Sequence, residues 1–402
     1  MNNILEQARQ SDNNDNNILN LRDNMKYKTL KPAASLILLS LINSTAGAYE
    51  FDMATLYGVD SNPHNLTDFF NPVEDNFFYL DMRYRQNYEK KLIFTVDLKG
   101  ASYSEDANAD WTKAKIDLTY KSKFGSKKNR VRYRIFGNYN KTDSTYVSKF
   151  SGVEASFGGV LLGDRYDADI FNVGTIFSFK TDSKIKLDFG FAHREKLYES
   201  YDVTGLSNLD YAHNSLRFDM KVPMTDMSNF TLNTSYTVRD YDDRRAKDLA
   251  AVDIGSTDLA FNLLDIKGTY TYKPNKTNTV KLAMKYGTRI DNEAGYWDSN
   301  STYVSVYTKQ ELNDKHQISA KLKYSVFSYD NRTDAVGENL DEQSKENKGF
   351  SLDFDYFWLI VKGKNTKLST YVKLSVASFD SSTVEYEYQN NQVSFGIKWE
   401  FN

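Results

Sequence analysis

The chain has 402 residues, with 51 Lys and Arg against 54 Asp and Glu, a formal net charge of −3. It has no cysteine, which excludes a disulfide framework, a thiolate nucleophile and a thiolate metal site. Mean hydropathy is −0.62. Beyond residue 48 no apolar run of about 18 residues occurs, which excludes membrane-spanning helices but not strands that show lipid only every second residue.

Residues 1–24 are rich in Asn and Asp and hold too little apolar surface to fold. We read them as a disordered or mis-started extension, with Met25 as the initiator. Met25-Lys26-Tyr27-Lys28 is basic, Ala33 to Ile42 is apolar apart from Ser35 and Ser40, and Ala46-Gly47-Ala48 is a small-x-small site. Residues 25–48 therefore read as a secretory signal peptide, cleaved after Ala48. The mature domain spans 49–402.

The mature chain opens on Tyr57-Gly58-Val59-Asp60-Ser61-Asn62-Pro63, a strand running into turn formers. Period-two alternation follows. Phe78, Leu80, Met82 and Tyr84 alternate with polar residues, as do Leu92 to Leu98 and Ala114 to Tyr120. The pattern returns in Ile185–Phe191, Leu216–Val222, Val280–Tyr286, Ile318–Tyr324, Phe350–Trp358 and Leu368–Val376. No segment sustains a helical period.

Short connections (89–91, 181–184, 313–316, 362–365) alternate with long polar ones (60–75, 140–167, 197–210, 242–257, 330–347). Tight turns on one side and large loops on the other suit a membrane meander. With both termini on the periplasmic side the strand count must be even. Reading 140–167 as one external loop puts every short turn after an even-numbered strand and gives about sixteen strands; fourteen or eighteen remain open. Tyr88, Tyr120, Tyr139, Trp297 and Trp399 fall near strand ends and are candidates for the interfacial girdles.

At the C-terminus Val393, Phe395, Ile397, Trp399 and Phe401 share one face, opposite Ser394, Gly396, Lys398 and Glu400. This strand resembles the terminal insertion signal of Gram-negative outer-membrane β-barrels, with Phe395, Trp399 and Phe401 as its aromatic positions. In that class the chain usually ends on the aromatic; here Asn402 follows. The resemblance implies an all-β, antiparallel up-and-down transmembrane barrel of porin type. It also implies a place in the outer membrane beside lipid and lipopolysaccharide, and recognition by the barrel-assembly machinery. The run at 57–63 is similar to the start of porin-type barrels encoded near surface-polysaccharide genes.

The face opposite the apolar one must line the lumen, and it is rich in cations. Arg83, Arg85, Arg132, Arg134, Arg217, Arg239, Lys285 and Arg289 are the candidate pore-lining residues. Fewer acids fall there (Asp81, Asp97, Asp117, Asp188, Asp219, Asp353, Asp355), and the compensating acid is expected largely in outer loops such as 330–347. A basic lumen focuses field on anions, and arginine binds carboxylate and phosphate bidentately. Inward Tyr79, Phe136, Phe327, Phe357 and Tyr371 offer rings for stacking on sugars. The opposite reading is that the lumen charges only hydrate the wall and pair with one another.

Residues 140–167 hold Gly152, Gly158, Gly159, Gly163 and the run Asp164-Arg165-Tyr166-Asp167, between the fifth and sixth predicted strands. By analogy with sixteen-stranded general porins, this is the position of the loop that folds inward and narrows the pore. An ordinary external loop fits the same residues.

Catalysis is not expected. His64 and His316 fall in predicted loops or turns. His193 and His213 read as girdle or loop residues, and neither context matches a hydrolase motif. No His, Asp and Glu spacing suits a metal, no cofactor motif occurs, and the basic residues form no nucleic-acid footprint. The sequence thus points to a channel passing anionic or acidic-sugar solutes by diffusion. Two alternatives stand beside it: the outer-membrane component of polysaccharide export, and a structural or adhesive barrel without conductance. Monomer and trimer are both open.

Overall fold

The computed structural model describes residues 48–67, 72–126, 130–148, 152–201, 203–336, 341–382 and 387–401, with the side chains of 48 and 333–344 left aside. The N-terminal extension, the signal segment and the side chains of Asp334, Glu338, Asp341 and Glu342 therefore lie outside the described residues.

Among the described residues eighteen strands occur in chain order. The first five are β1 (Ala48–Asp60), β2 (Asp75–Tyr88), β3 (Leu92–Tyr103), β4 (Trp111–Phe124) and β5 (Val131–Ser144). A small hairpin, β6 (Ser156–Phe157) with β7 (Val160–Leu161), stands apart from the main sheet. Next come β8 (Ala168–Lys180), β9 (Lys186–Tyr198), β10 (Tyr211–Thr225), β11 (Ser228–Lys247), β12 (Asp253–Tyr272) and β13 (Asn278–Asp291). The last five are β14 (Ser299–Glu311), β15 (His316–Val336), β16 (Asp341–Lys362), β17 (Thr366–Ser381) and β18 (Tyr388–Phe401). Setting the small hairpin aside, sixteen strands pair antiparallel, each with its chain neighbour, and β18 returns to pair with β1. The sheet is a closed up-and-down barrel.

The alternating residues sort by face as the period-two pattern requires. Leu216 is 59% exposed, Met284 57% and Phe395 61%, because they point away from the barrel. A closed sheet with an apolar exterior satisfies every backbone group internally while meeting hydrocarbon, which is the architecture of an outer-membrane barrel.

Two expectations about the external side change. The long connections at 242–257 and 330–347 are shorter than expected, because β11, β12, β15 and β16 run to 20, 20, 21 and 22 residues. Their outer ends are held by cross-strand pairs such as Arg245–Asp258 and Lys247–Asp253. Above the membrane both faces of a strand are wet, so ladder pairing continues after the apolar alternation has stopped. Trp297 is also not a girdle residue. It sits in the β13–β14 connection and packs on the cluster of Ala246, Leu259 and Phe261.

The β1–β18 seam is closed by backbone proximity and a polar knot. A Cβ on Gly396 would run into the Thr55 carbonyl, and one on Gly58 into the Val393 carbonyl. Both glycines let the two backbones approach. At the external end the buried Asp60 accepts from Asn62 N at 3.0 Å, Tyr103 Oη at 2.9 Å and Gln392 Nε2 at 2.7 Å. The fully buried Asn62 accepts from Leu66 N and donates to the carbonyls of Leu66 and Gln389. The Asp-Ser-Asn-Pro run thus ties β1 to β3 and β18.

Gly396→Val should keep the barrel from closing, read as loss of the heat-modifiable folded band after refolding into detergent. Asn62→Ala strands one donor and two acceptors. It should cost about 1–3 kcal/mol, seen as a lower urea midpoint with the slope unchanged.

Candidate functional site: the inner wall

Register places the candidate pore-lining residues on the face opposite the exposed apolar side chains. Arg83 stands beside Asp97, and Arg85 beside Glu50. Arg134 on β5 stands beside Lys121 on β4, and Arg132 beside Lys123. Arg217 is level with Ser235, Arg239 with Phe261, and Arg289 with Leu263. Each lies at an inward position of its strand.

These residues divide into two groups. Four have a carboxylate partner on the wall itself: Arg83 with Asp97 at 2.5 Å, Arg85 with Glu50 at 3.1 Å, Arg217 with Asp219 at 2.6 Å and Lys285 with Asp265 at 2.5 Å. Lys99–Asp81 and Lys186–Asp188 add to this group. Part of the compensation therefore comes from the wall itself. Glu50 and Asp265 are inward acids that the alternation did not single out, while Glu400 lies on the polar face of β18 as its alternation requires. Lys267 stands opposite the inward Lys285, and Asp265 lies two residues before it, so parity puts Asp265 on the same face.

The other four, Arg132, Arg134, Arg239 and Arg289, form no ion pair among the described residues. Two of them are held by rings instead. The Arg239 guanidinium lies 4.4 Å from the Tyr211 ring centre, and Arg289 lies 5.1 Å from Phe261 and 5.4 Å from Tyr329. The same device recurs in this sector. Arg244 and Arg332 lie 4.7 and 4.9 Å from Trp297, Lys196 lies 4.2 Å from Tyr198, and Lys267 and Lys323 share Tyr303. A ring's negative face steadies a cation without cancelling its charge. The remaining inward rings pack largely on one another: Phe357 stacks on Tyr371 with centres 5.3 Å apart, and Tyr79 lies 6.0 Å from Trp111.

The expected constriction segment forms the β5–β8 connection, residues 145–167. Its small hairpin and its flanks touch both sides of the rim. Gly152 lies against Leu66 of the β1–β2 connection, and Gly158 against Val203 of the β9–β10 connection. Asp164 N donates to Tyr201 Oη at 3.0 Å, and Arg165 donates to the Ser207 carbonyl at 3.2 Å. Tyr166 packs edge-on against Tyr146 at 4.6 Å. Asp167 accepts from Ser144 N at 2.7 Å at the foot of the loop. The segment is a strap between rim connections that are far apart in the sequence.

The histidines are dispersed. His64 bonds Asp106 at 2.6 Å, beside a rim cavity of about 330 Å3 whose carboxylates are largely engaged: Asp75 accepts from Glu105 N and Asp106 N. His193 bonds Asn214 on the outer face, and His316 bonds Tyr356 and stacks on Trp358. His213 was expected in a girdle or loop, but it is a buried inner-wall residue between Arg194 and Arg239. The outward parity of Leu216, Phe218 and Met220 already puts residue 213 on the inward set. Among the described residues no group of three His, Asp or Glu could hold a metal ion.

No family model matches the sequence, and no curated protein matches it. Solved outer-membrane barrels are similar in shape. OccAB3 of Acinetobacter baumannii is 14% identical, covers 88% of this chain and 99% of its own, and has a TM-score of 0.44. A BenF-like porin from Pseudomonas fluorescens is 9% identical over 86% and 97%, with a TM-score of 0.42. An anion-selective porin from Comamonas acidovorans is 10% identical over 88% and 100%, with a TM-score of 0.41. Such scores express the likeness of one barrel to another and carry no functional argument.

Burial, together with Asp143 and Asp164 nearby, pushes the Asp167 carboxyl up from its ordinary 3.8 to about 7, against the opposing pull of the Ser144 N–H and Lys141. The folded loop therefore favours the protonated acid. The stabilisation is full below about 4, declines as pH rises and is gone above about 7. Proteolysis of residues 145–167 in the folded barrel should accelerate across that window. Asp167→Asn, which keeps an acceptor for Ser144, should flatten the profile.

Proposed function

We propose that the barrel is a diffusion channel that favours anionic solutes. The observation that carries this reading is the inner-wall sector from β5 to β15. There Arg132, Arg134, Arg194, Lys196, Arg239 and Arg289 form no ion pair among the described residues. A sixteen-stranded barrel is wide enough for an aqueous path. Between low-dielectric walls, uncompensated cations raise the local concentration of anions. The strap at 145–167, with Asp164, Arg165, Tyr166 and Asp167 at its anchored end, narrows the entrance in this reading. Because the inward rings are occupied by cations or by each other, charge recognition is favoured over stacking on sugars.

Planar-bilayer recording under a salt gradient tests the proposal. The reversal potential should show anion selectivity, and Arg132→Ala combined with Arg134→Ala should lower the anion-to-cation permeability ratio by about two-fold or more. Cation selectivity of the unaltered barrel would reject it.

A further inference from the structure

Arg194 on β9, His213 on β10 and Arg239 on β11 are direct cross-strand partners in one row of the inner wall. One row toward the exterior stand Lys196 and Tyr211. The two arginines flank His213 from two strands apart, about 10 Å at the usual strand spacing, and like charges so placed repel. Among the described residues no ion pair offsets that repulsion. On the same strands Asp188 and Asp219 lie six residues along, about 20 Å away, and are taken by Lys186 and Arg217. Asp291, two strands on in the row, accepts from the amides of Glu293, Gly295 and Trp297.

The second observation concerns unmet bonding capacity. His213 is only 9% exposed, and its Nδ1 has no hydrogen-bond partner; the buried Nε atoms of Arg194 and Arg239 have none either. Buried polar atoms normally find partners. Arg239 is fixed over Tyr211 at 4.4 Å, so its position does not depend on a carboxylate.

We propose that this row is a binding site for a compact oxyanion carrying two negative charges, of the inorganic phosphate or phosphate monoester class. Arg194 and Arg239 donate to its oxygens from either side, His213 donates from beneath, and Lys196 supplies further positive charge at the outer edge. The inference extends the anion-channel reading by naming a solute class, but the site can be tested without conductance.

The test is calorimetric titration of the detergent-solubilised barrel with inorganic phosphate at pH 8 and constant chloride. One saturable equivalent is expected. Arg194→Gln with Arg239→Gln should weaken binding at least ten-fold. Arg239→Glu places a carboxylate within the row, so it should fold at least as well as the parent, judged by its thermal midpoint, and should also lose phosphate binding. A parent barrel that binds no phosphate, or an Arg239→Glu barrel that binds it unchanged, overturns the site. Phosphate binding by a barrel that conducts no ions would sink the channel reading and leave the site standing. Anion conduction without phosphate binding would do the reverse.

Discussion

In hydrocarbon no water is present to pair with an open strand edge, and that constraint governs the rest of this molecule. Sixteen strands satisfy it only if the last meets the first. The β1–β18 seam therefore decides whether there is an inside at all. Its chemistry changes along its length. Near the periplasmic end it is aromatic, with Tyr49 stacked on Phe401 at 5.5 Å and Phe51 edge-on to Trp399 at 6.0 Å. In the middle Gly58 and Gly396 remove side-chain bulk. At the external end Asp60, Asn62 and Asn390 lock it with polar bonds, including Asn390 Nδ2 to the Asn62 carbonyl at 3.0 Å. The apolar rows outside and the charged rows inside follow from that closure, because closure fixes which way each second residue faces.

The membrane zone was legible in the sequence because only there does one face meet lipid and the other water. From Leu216 to Val222 or Val280 to Tyr286 the alternation is that difference in solvent written along the chain. Beyond the lipid, at Asp240–Lys247 and again past Ser328, both faces are wet, the alternation fades and the strands read as loops. Trp297 was misplaced for a related reason: an aromatic near a strand end suits a girdle or a packed mouth equally well, and the sequence does not show the cluster of Ala246, Leu259 and Phe261 beneath it. Partners of the inward cations were harder still. Arg85 and Glu50 are 35 residues apart and Lys285 and Asp265 are 20 apart, so their pairing depends on register. Parity shows which face a residue takes but not its level on the wall.

Register also explains how one wall holds charges in two conditions. On β1 to β4 cations meet carboxylates across neighbouring strands, as in Arg83–Asp97 and Lys99–Asp81. Exposed pairs of this kind contribute little stability, and their effect here is to leave that sector nearly neutral. From β9 to β15 such pairs recur at Lys186–Asp188, Arg217–Asp219 and Lys285–Asp265, but Lys196, Arg239, Lys267 and Arg289 are held by rings instead. A guanidinium over a tyrosine is restrained much as an ion pair restrains it, but its charge remains available to a solute.

The strap between the rim connections relates these two sectors. One end meets Leu66 near the seam, and the other is bonded to Tyr201 and Ser207 of the β9–β10 connection. That connection joins the very strands that carry Lys196, Arg194 and His213. The ring-held cations are therefore the wall charges next to the anchored end of the strap. The positive charges sit on strands, whose backbones are paired on both sides, so the sector cannot collapse to bring distant acids into contact. Sheet rigidity is thus what keeps the cations apart from counter-charges, and the same ladder that closes the barrel against lipid preserves the field within it.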